Sequence, residues 1–182
     1  MNGIIVYKGK YGATAQYSEW LAKTLQFPAV RADNVNPGDL SKFDFLIMGS
    51  SVYIGKLQLK AWLKENISIL QDKSLFLFIV CGTPASQSDL LQKIVRNNVP
   101  EEIRNRCQIY ILPGRMVRKN VSLADKLLLR FGAMATKNPA EKQRMLKGFD
   151  GVNAAALNPI IKAVNAELTH KQDRLLESKP LK

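Results

Sequence analysis

Short runs that are apolar throughout alternate along this chain with stretches in which apolar residues return at helical spacing. Gly3–Tyr7 reads as a strand, and Ala13, Tyr17, Trp20, Leu21, Thr24 and Leu25 then mark one face of a first helix. A weaker strand is expected at Ala29–Arg31, followed by turns over Asn34–Asp39, where Asn36-Pro37-Gly38 breaks the chain. Phe45–Met48 reads as a buried strand ended by Gly49-Ser50-Ser51. Leu57–Leu70 reads as a helix with Trp62 and Leu63 on its apolar face. Leu75–Cys81 is the cleanest strand, and Ser88–Asn97 a helix with Leu90, Leu91, Ile94 and Val95 inward. Gln108–Leu112 is the last strand, stopped by Pro113-Gly114.

Strands that are apolar at every position, rather than at alternate ones, are covered on both faces, which points to a parallel sheet flanked by helices. Five of them with helices between predict an α/β, doubly wound, five-stranded parallel sheet. Such sheets bind ligands beyond the carboxyl ends of the strands, near the switch point. The domain is expected to span 1–169, with an insertion at 114–149 after the last strand. The insertion holds a helical segment whose apolar positions include Ala124, Leu127, Leu128, Phe131 and Met134. Asn158 is expected to cap a closing helix, with Pro159 at its first position and Ile160, Ile161, Val164 and Leu168 inward. Residues 170–182 form a charged tail expected to fray.

Charge changes the picture more than composition does. An apolar fraction of 46% is ordinary for a folded domain, but 27 Lys and Arg against 15 Asp and Glu give a net +12, a field that favours anionic partners. The excess is concentrated between positions 115 and 147. There Arg115, Arg118, Lys119, Lys126, Arg130, Lys137, Lys142, Arg144 and Lys147 face only Asp125 and Glu141. Two readings of the amphipathic helix stay open: peripheral contact with an anionic membrane, or packing of its apolar face on the domain. No apolar run approaches the roughly 20 residues that cross a bilayer. Nucleic acid is not expected, because no aromatic-basic interleaving accompanies the charge. Met1-Asn2-Gly3 runs straight into Ile4-Ile5-Val6, so no secretory signal is expected, and Cys81 and Cys107 read as reduced, buried thiols of a cytoplasmic protein. No Ser/His/Asp set or metal-ligand cluster stands out, and His170 sits alone in a polar tail.

The chemistry concentrates in three loops. Lys8-Gly9-Lys10-Tyr11-Gly12-Ala13-Thr14 joins the first strand to the first helix. Two glycines permit tight turns, the helix start leaves N–H groups free, Thr14 adds a hydroxyl, and Lys8 and Lys10 raise the local potential. The loop lacks the Gly-Lys-Ser/Thr ending of a P-loop and the Gly-x-Gly-x-x-Gly of dinucleotide binders. With Tyr17-Ser18-Glu19-Trp20-Leu21-Ala22 behind it, it resembles the opening of flavodoxin-like domains, and that resemblance implies strand order 2-1-3-4-5 and a loop wrapped around the phosphate of FMN. The family's usual pattern is Ser/Thr-x-Ser/Thr-Gly-x-Thr. Gly12 and Thr14 match it, whereas Gly9 and Tyr11 replace its two earlier hydroxyl positions. Ile47-Met48-Gly49-Ser50-Ser51-Val52-Tyr53-Ile54-Gly55-Lys56 resembles the family's loop beside the flavin ring, which implies Ser50, Ser51, Val52, Tyr53, Ile54 and Gly55 as its contacts, with Tyr53 a candidate to stack on the ring. Gly82, Thr83 and Pro84, with Ser86 and Gln87, stand where the family closes around the ring's polar edge, with no aromatic in that loop.

Electron-carrying flavodoxins are typically acidic, the reverse of this chain. The segment from Pro113-Gly114-Arg115-Met116 through Met134 resembles the menaquinone-dependent protoporphyrinogen oxidase branch of the family. That resemblance implies oxidation of an anionic tetrapyrrole through FMN, with electrons passed to a membrane quinone. The alternatives are an electron carrier that serves redox partner proteins without a substrate of its own, and an interaction domain without flavin.

Overall fold

The computed structural model describes residues 2–136 and 138–177. Lys137 and the last part of the expected tail, 178–182, lie outside them. The apolar runs build the sheet. Strands β1 (Gly3–Lys8), β2 (Ala29–Arg31), β3 (Phe45–Tyr53), β4 (Lys56–Leu57), β5 (Ser74–Cys81) and β6 (Cys107–Pro113) form it, parallel in the order β2-β1-β3-β5-β6. Short β4 folds back antiparallel on the end of β3, and without it the order is the expected 2-1-3-4-5.

Successive side chains of a strand point to opposite faces, and here both faces are buried. Ile4, Val6, Leu46, Met48 and Leu77 pack with Leu59, Leu63 and Ile103 on one side; Ile5, Phe45, Ile47, Phe76 and Phe78 pack with Tyr17, Leu21, Ile160 and Val164 on the other. The second layer is α1 (Ala13–Leu25) and α8 (Asn158–Glu177); the first comes from the α2 (Lys60–Glu65), α3 (Ile67–Leu70), α4 (Ser88–Asn98) and α5 (Glu101–Arg104) side.

Several local expectations are corrected. The third strand does not stop at Met48: it runs to Tyr53, because its ladder with β5 continues through Gly49↔Phe78, Ser50↔Ile79 and Ser51↔Val80. The expected loop after the third strand is a tight hairpin, turning at Ile54 (φ 49°) and Gly55 (φ 68°). Leu57 belongs to β4, and the helix expected over Leu57–Leu70 begins at Lys60 and breaks at Asn66, whose Nδ2 donates to the Trp62 carbonyl at 2.7 Å. Leu90 is exposed rather than inward. The thiols are free, Cys81 buried but Cys107 only half-buried on the sheet's edge strand. Asn158 lies inside the closing helical run. Asn153 does the capping, its Oδ1 accepting from Ala156 N at 2.9 Å to start a 3-10 turn that leads into α8. Helix α8 continues through residues expected to fray, as far as Glu177.

The insertion leaves and re-enters through a stem. Strands β7 (Arg115–Met116) and β8 (Phe149–Asp150) pair antiparallel, Arg115 Nε donates to Asp150 Oδ2 at 2.8 Å, and Gly151 N donates to the Gly114 carbonyl at 3.0 Å. Between them, α6 (Leu123–Ala135) and α7 (Pro139–Lys147) pack chiefly on each other. Helix α6 is turned inside out relative to an ordinary surface helix. Asp125 and Ala133 are buried on its inner face, while Leu123, Leu127, Phe131 and Met134 are 83%, 57%, 61% and 75% exposed. Its apolar stripe does not pack on the domain. No helix among the described residues is long and apolar enough to cross a membrane.

Candidate functional site

A two-lobed cleft opens beyond the carboxyl ends of the strands, walled on one side by the loops after β1, β3 and β5 and on the other by the insertion. Each lobe is about 310 Å³, and the lobes share Val52, Cys81, Gly82, Met116, Leu129, Met145 and Phe149. That volume is at the lower end for small-molecule sites, and the lining is mostly apolar, as such sites are.

The loop 8–14 forms the deep wall. Gly12 caps α1 in the left-handed region (φ 83°), with no side chain bonded to the helix's first N–H groups. Those groups have no partner within the helix and aim out of its positive end. Thr14 is buried beside them, and its Oγ1 has no hydrogen-bond partner. The Thr14 side chain lies directly over Gly9: a Cβ on residue 9 would stand 2.5 Å from Thr14 Oγ1. Lys10 N donates to Ser51 Oγ at 3.3 Å, tying this loop to the β3–β4 hairpin.

At the mouth, four side chains meet. The Asp125 carboxylate, buried on α6, accepts from Tyr11 Oη at 2.9 Å and from Tyr53 Oη, and pairs with Lys10 Nζ at 2.8 Å. Lys10 Nζ also stands 3.4 Å over the centroid of the Tyr53 ring, a cation–π contact. Hydrogen bonds from Lys10 and then Tyr53 hold the Asp125 carboxyl well below the usual carboxylate range. Burial, then the bond to Asp125, pushes the Tyr11 phenol up to about 12. Burial alone would lower Lys10, but its bonds to Asp125 and Tyr53 outweigh that and raise it. At neutral pH Asp125 is therefore a carboxylate, Lys10 an ammonium and Tyr11 a neutral phenol.

The other lobe is built around Phe149. Its ring packs against Gly82, where an added Cβ would fall 2.6 Å from it. The Arg144 guanidinium covers the ring at 4.3 Å from its centroid and donates from Nη2 to the Gly82 carbonyl at 2.8 Å.

Of the expected site residues, Tyr11, Ala13, Thr14, Ser51, Val52, Tyr53, Ile54 and Gly82 line the first lobe, and Thr83 and Pro84 line the second. Gly9, Lys10 and Gly12 shape the loop behind. Three residues stand elsewhere. Lys8 pairs with Asp33 at 2.5 Å in a separate groove beside Trp62, because the last residue of β1 points away from the loop. Ser50 is fully buried, its Oγ accepting from Leu59 N at 3.1 Å and so fixing the start of α2. Gly55 occupies the hairpin tip. Sequence reasoning missed Asp125, Arg115, Met116, Leu129, Met145 and Phe149, all from the insertion. Asp125 had a signal, as one of two acids among nine basic residues, and Phe149 had none beyond its place after Gly148.

A family model described as the flavodoxin domain matches residues 4–143. The chain belongs to the flavodoxin domain family. Among curated proteins none matches. Solved structures share the flavodoxin fold at low identity. The rubredoxin oxygen:oxidoreductase of Desulfovibrio gigas is 11% identical with a TM-score of 0.50, over 92% of this chain and 37% of that one. An archaeal flavodoxin is 15% identical (TM-score 0.46, 66% of this chain and 88% of that one). The flavodoxin of Megasphaera elsdenii is also 15% identical (0.45, 62% and 83%). At 11% identity the likeness to the Desulfovibrio gigas protein is one of fold alone.

Proposed function

We propose that the cleft holds FMN and that this flavodoxin-family chain is an FMN-dependent oxidoreductase. One observation carries the reading: a buried hydroxyl without a partner, Thr14 Oγ1, sits over the Cβ-less Gly9 at an uncapped helix N-terminus. A buried hydroxyl with no acceptor or donor is costly, and an anion at the helix start satisfies it together with the free N–H groups. Gly9 therefore makes room for Thr14 rather than marking a lost donor. The residues present fit a phosphate-bearing flavin. When bound, FMN supplies the electron chemistry, and the protein supplies position and field. Thr14 and the first N–H groups of α1 hold the phosphate; Ser51, Val52, Tyr53 and Gly82 wall the ring; Leu128, Leu129, Met145 and Phe149 keep water from it.

The finer reading is a protoporphyrinogen oxidase-like activity, in which an anionic tetrapyrrole gives electrons that pass on to a membrane quinone. Its support is Arg144 at the border of the second lobe, a cation that suits the carboxylates of an anionic substrate. In this reading the protein works at the inner face of the membrane, with Leu123, Leu127, Phe131 and Met134 against the headgroup region and the surrounding Lys and Arg on anionic lipid.

The test begins with quenching of flavin fluorescence on titration with FMN. Binding is expected, and Gly9→Ala is expected to weaken it at least about tenfold by displacing Thr14. An absence of quenching at any practical concentration overturns the reading. After anaerobic reduction, turnover of protoporphyrinogen with a menaquinone analogue supports the oxidase, whereas reoxidation by protein partners alone makes the chain a carrier.

A further inference from the structure

A lid that carries a buried carboxylate on its inner face needs an explanation, since an unpaired buried charge is strongly unfavourable. Asp125 is paired three times with the opposite wall of the cleft: with Lys10 and Tyr11 on the loop after β1 and with Tyr53 on the hairpin after β3. From its own helix it has Ser122, whose Oγ accepts from Asp125 N at 3.1 Å and whose hydroxyl also adds the smallest of the bonds that favour the carboxylate. Helices α6 and α7 rest mainly on each other, and among the described residues Asp125 and Arg144 bond them across to the domain. Arg144 reaches the Gly82 carbonyl across the Phe149 ring. The cleft lies between these two pins.

We propose that Asp125 is a latch that pins the insertion over the cleft, so that entry and release of the ligand are gated by one carboxylate. The ligand being FMN rests on the reading above; the latch does not. Asp125 acts as a positioning residue: with the latch closed, Tyr53 and Lys10 are held against α6 at the edge of the first lobe, and lifting α6 away from that lobe parts the carboxylate from three donors. Opening separates an ion pair and two hydrogen bonds together, so it is an all-or-none event of the kind that gates other lidded sites.

Limited trypsin digestion of the full chain tests the latch without any ligand, because Arg118, Lys119 and Arg130 offer exposed cleavage points in and beside α6. Asp125→Ala is expected to speed cleavage within 118–136 by about tenfold or more, while cleavage elsewhere changes little. Asp125→Glu, which keeps the charge, is expected to restore most of the protection. With FMN, stopped-flow fluorescence should show association and release both faster in Asp125→Ala, so that Kd changes less than either rate. Equal cleavage rates in the two proteins, or acceleration spread evenly over the chain, overturn the latch. Failure to bind FMN sinks the cofactor reading and leaves the digestion to decide the latch. If Asp125→Ala does not fold, Tyr11→Phe with Tyr53→Phe removes two donors and keeps the ion pair. It is expected to move cleavage the same way by a smaller factor, and no change there overturns the latch.

Discussion

Asp125 ties the residue scale to measurable stability. Its carboxyl is held below the ordinary range chiefly by the hydrogen bonds from Lys10 and Tyr53, so the ionised form is favoured by folding. A group whose folded pKa is depressed adds stability above its unfolded pKa, near about 4, and loses it as pH falls toward the folded value. The melting temperature of the wild type is therefore expected to drop more steeply between pH 5 and about 3 than that of Asp125→Asn, which has no charge to lose. Parallel curves would remove the ion pair from the account. Single residues were also where sequence reasoning was least secure. Thr14 and Gly12 could be placed from their spacing alone, since a strand followed by a glycine turn and a helix fixes which way the helix start aims. Lys8 could not: one residue earlier on a strand means the opposite face, and there Asp33 claims it. Asp125 contacts residues more than 70 positions away in sequence, and no local pattern encodes such a contact.

At the scale of elements, the β3–β4 hairpin repays attention. A two-residue turn between antiparallel strands needs positive φ at both central positions, which favours Asn-Gly. Here the pair is Ile54-Gly55. A β-branched residue at φ 49° is strained, and its side chain is 62% exposed, so packing does not repay the strain. Ile54→Asn is expected to stabilise the chain by about 1 kcal/mol, read as a higher melting temperature. A lower one would mean that Ile54 makes a contact that holds the hairpin. The strands themselves were legible because burial on both faces leaves no polar position in a run. The hairpin was not, because Gly49-Ser50-Ser51 has turn composition, and only the neighbouring β5 keeps it extended. Helix α6 was legible as amphipathic but not in its orientation, since a 3.6-residue period says which residues share a face and not what that face meets.

For the whole molecule, charge and shape converge on one side. The stripe Leu123, Leu127, Phe131 and Met134 is an apolar surface that no described element covers, with Ile54 on the adjacent hairpin and Arg118, Lys119 and Arg130 exposed around it. Co-sedimentation with anionic vesicles is expected, to weaken with added salt, and to be lost when Leu127, Leu128 and Phe131 are made polar. Sedimentation that survives those changes would assign the contact to another surface. The stem of the insertion has a consequence of a different kind. Gly114 and Gly151, on either side of it, already touch through a single backbone hydrogen bond. A chain joined from one to the other has only a short gap to bridge; the ladders of β1, β2, β3, β5 and β6 are untouched, and α1 gives up the bond that Gln16 accepts from Arg115. The roof over the cleft is thus a cassette, one that gene rearrangement or a designer can remove, exchange or lengthen while the sheet beneath goes on folding as before.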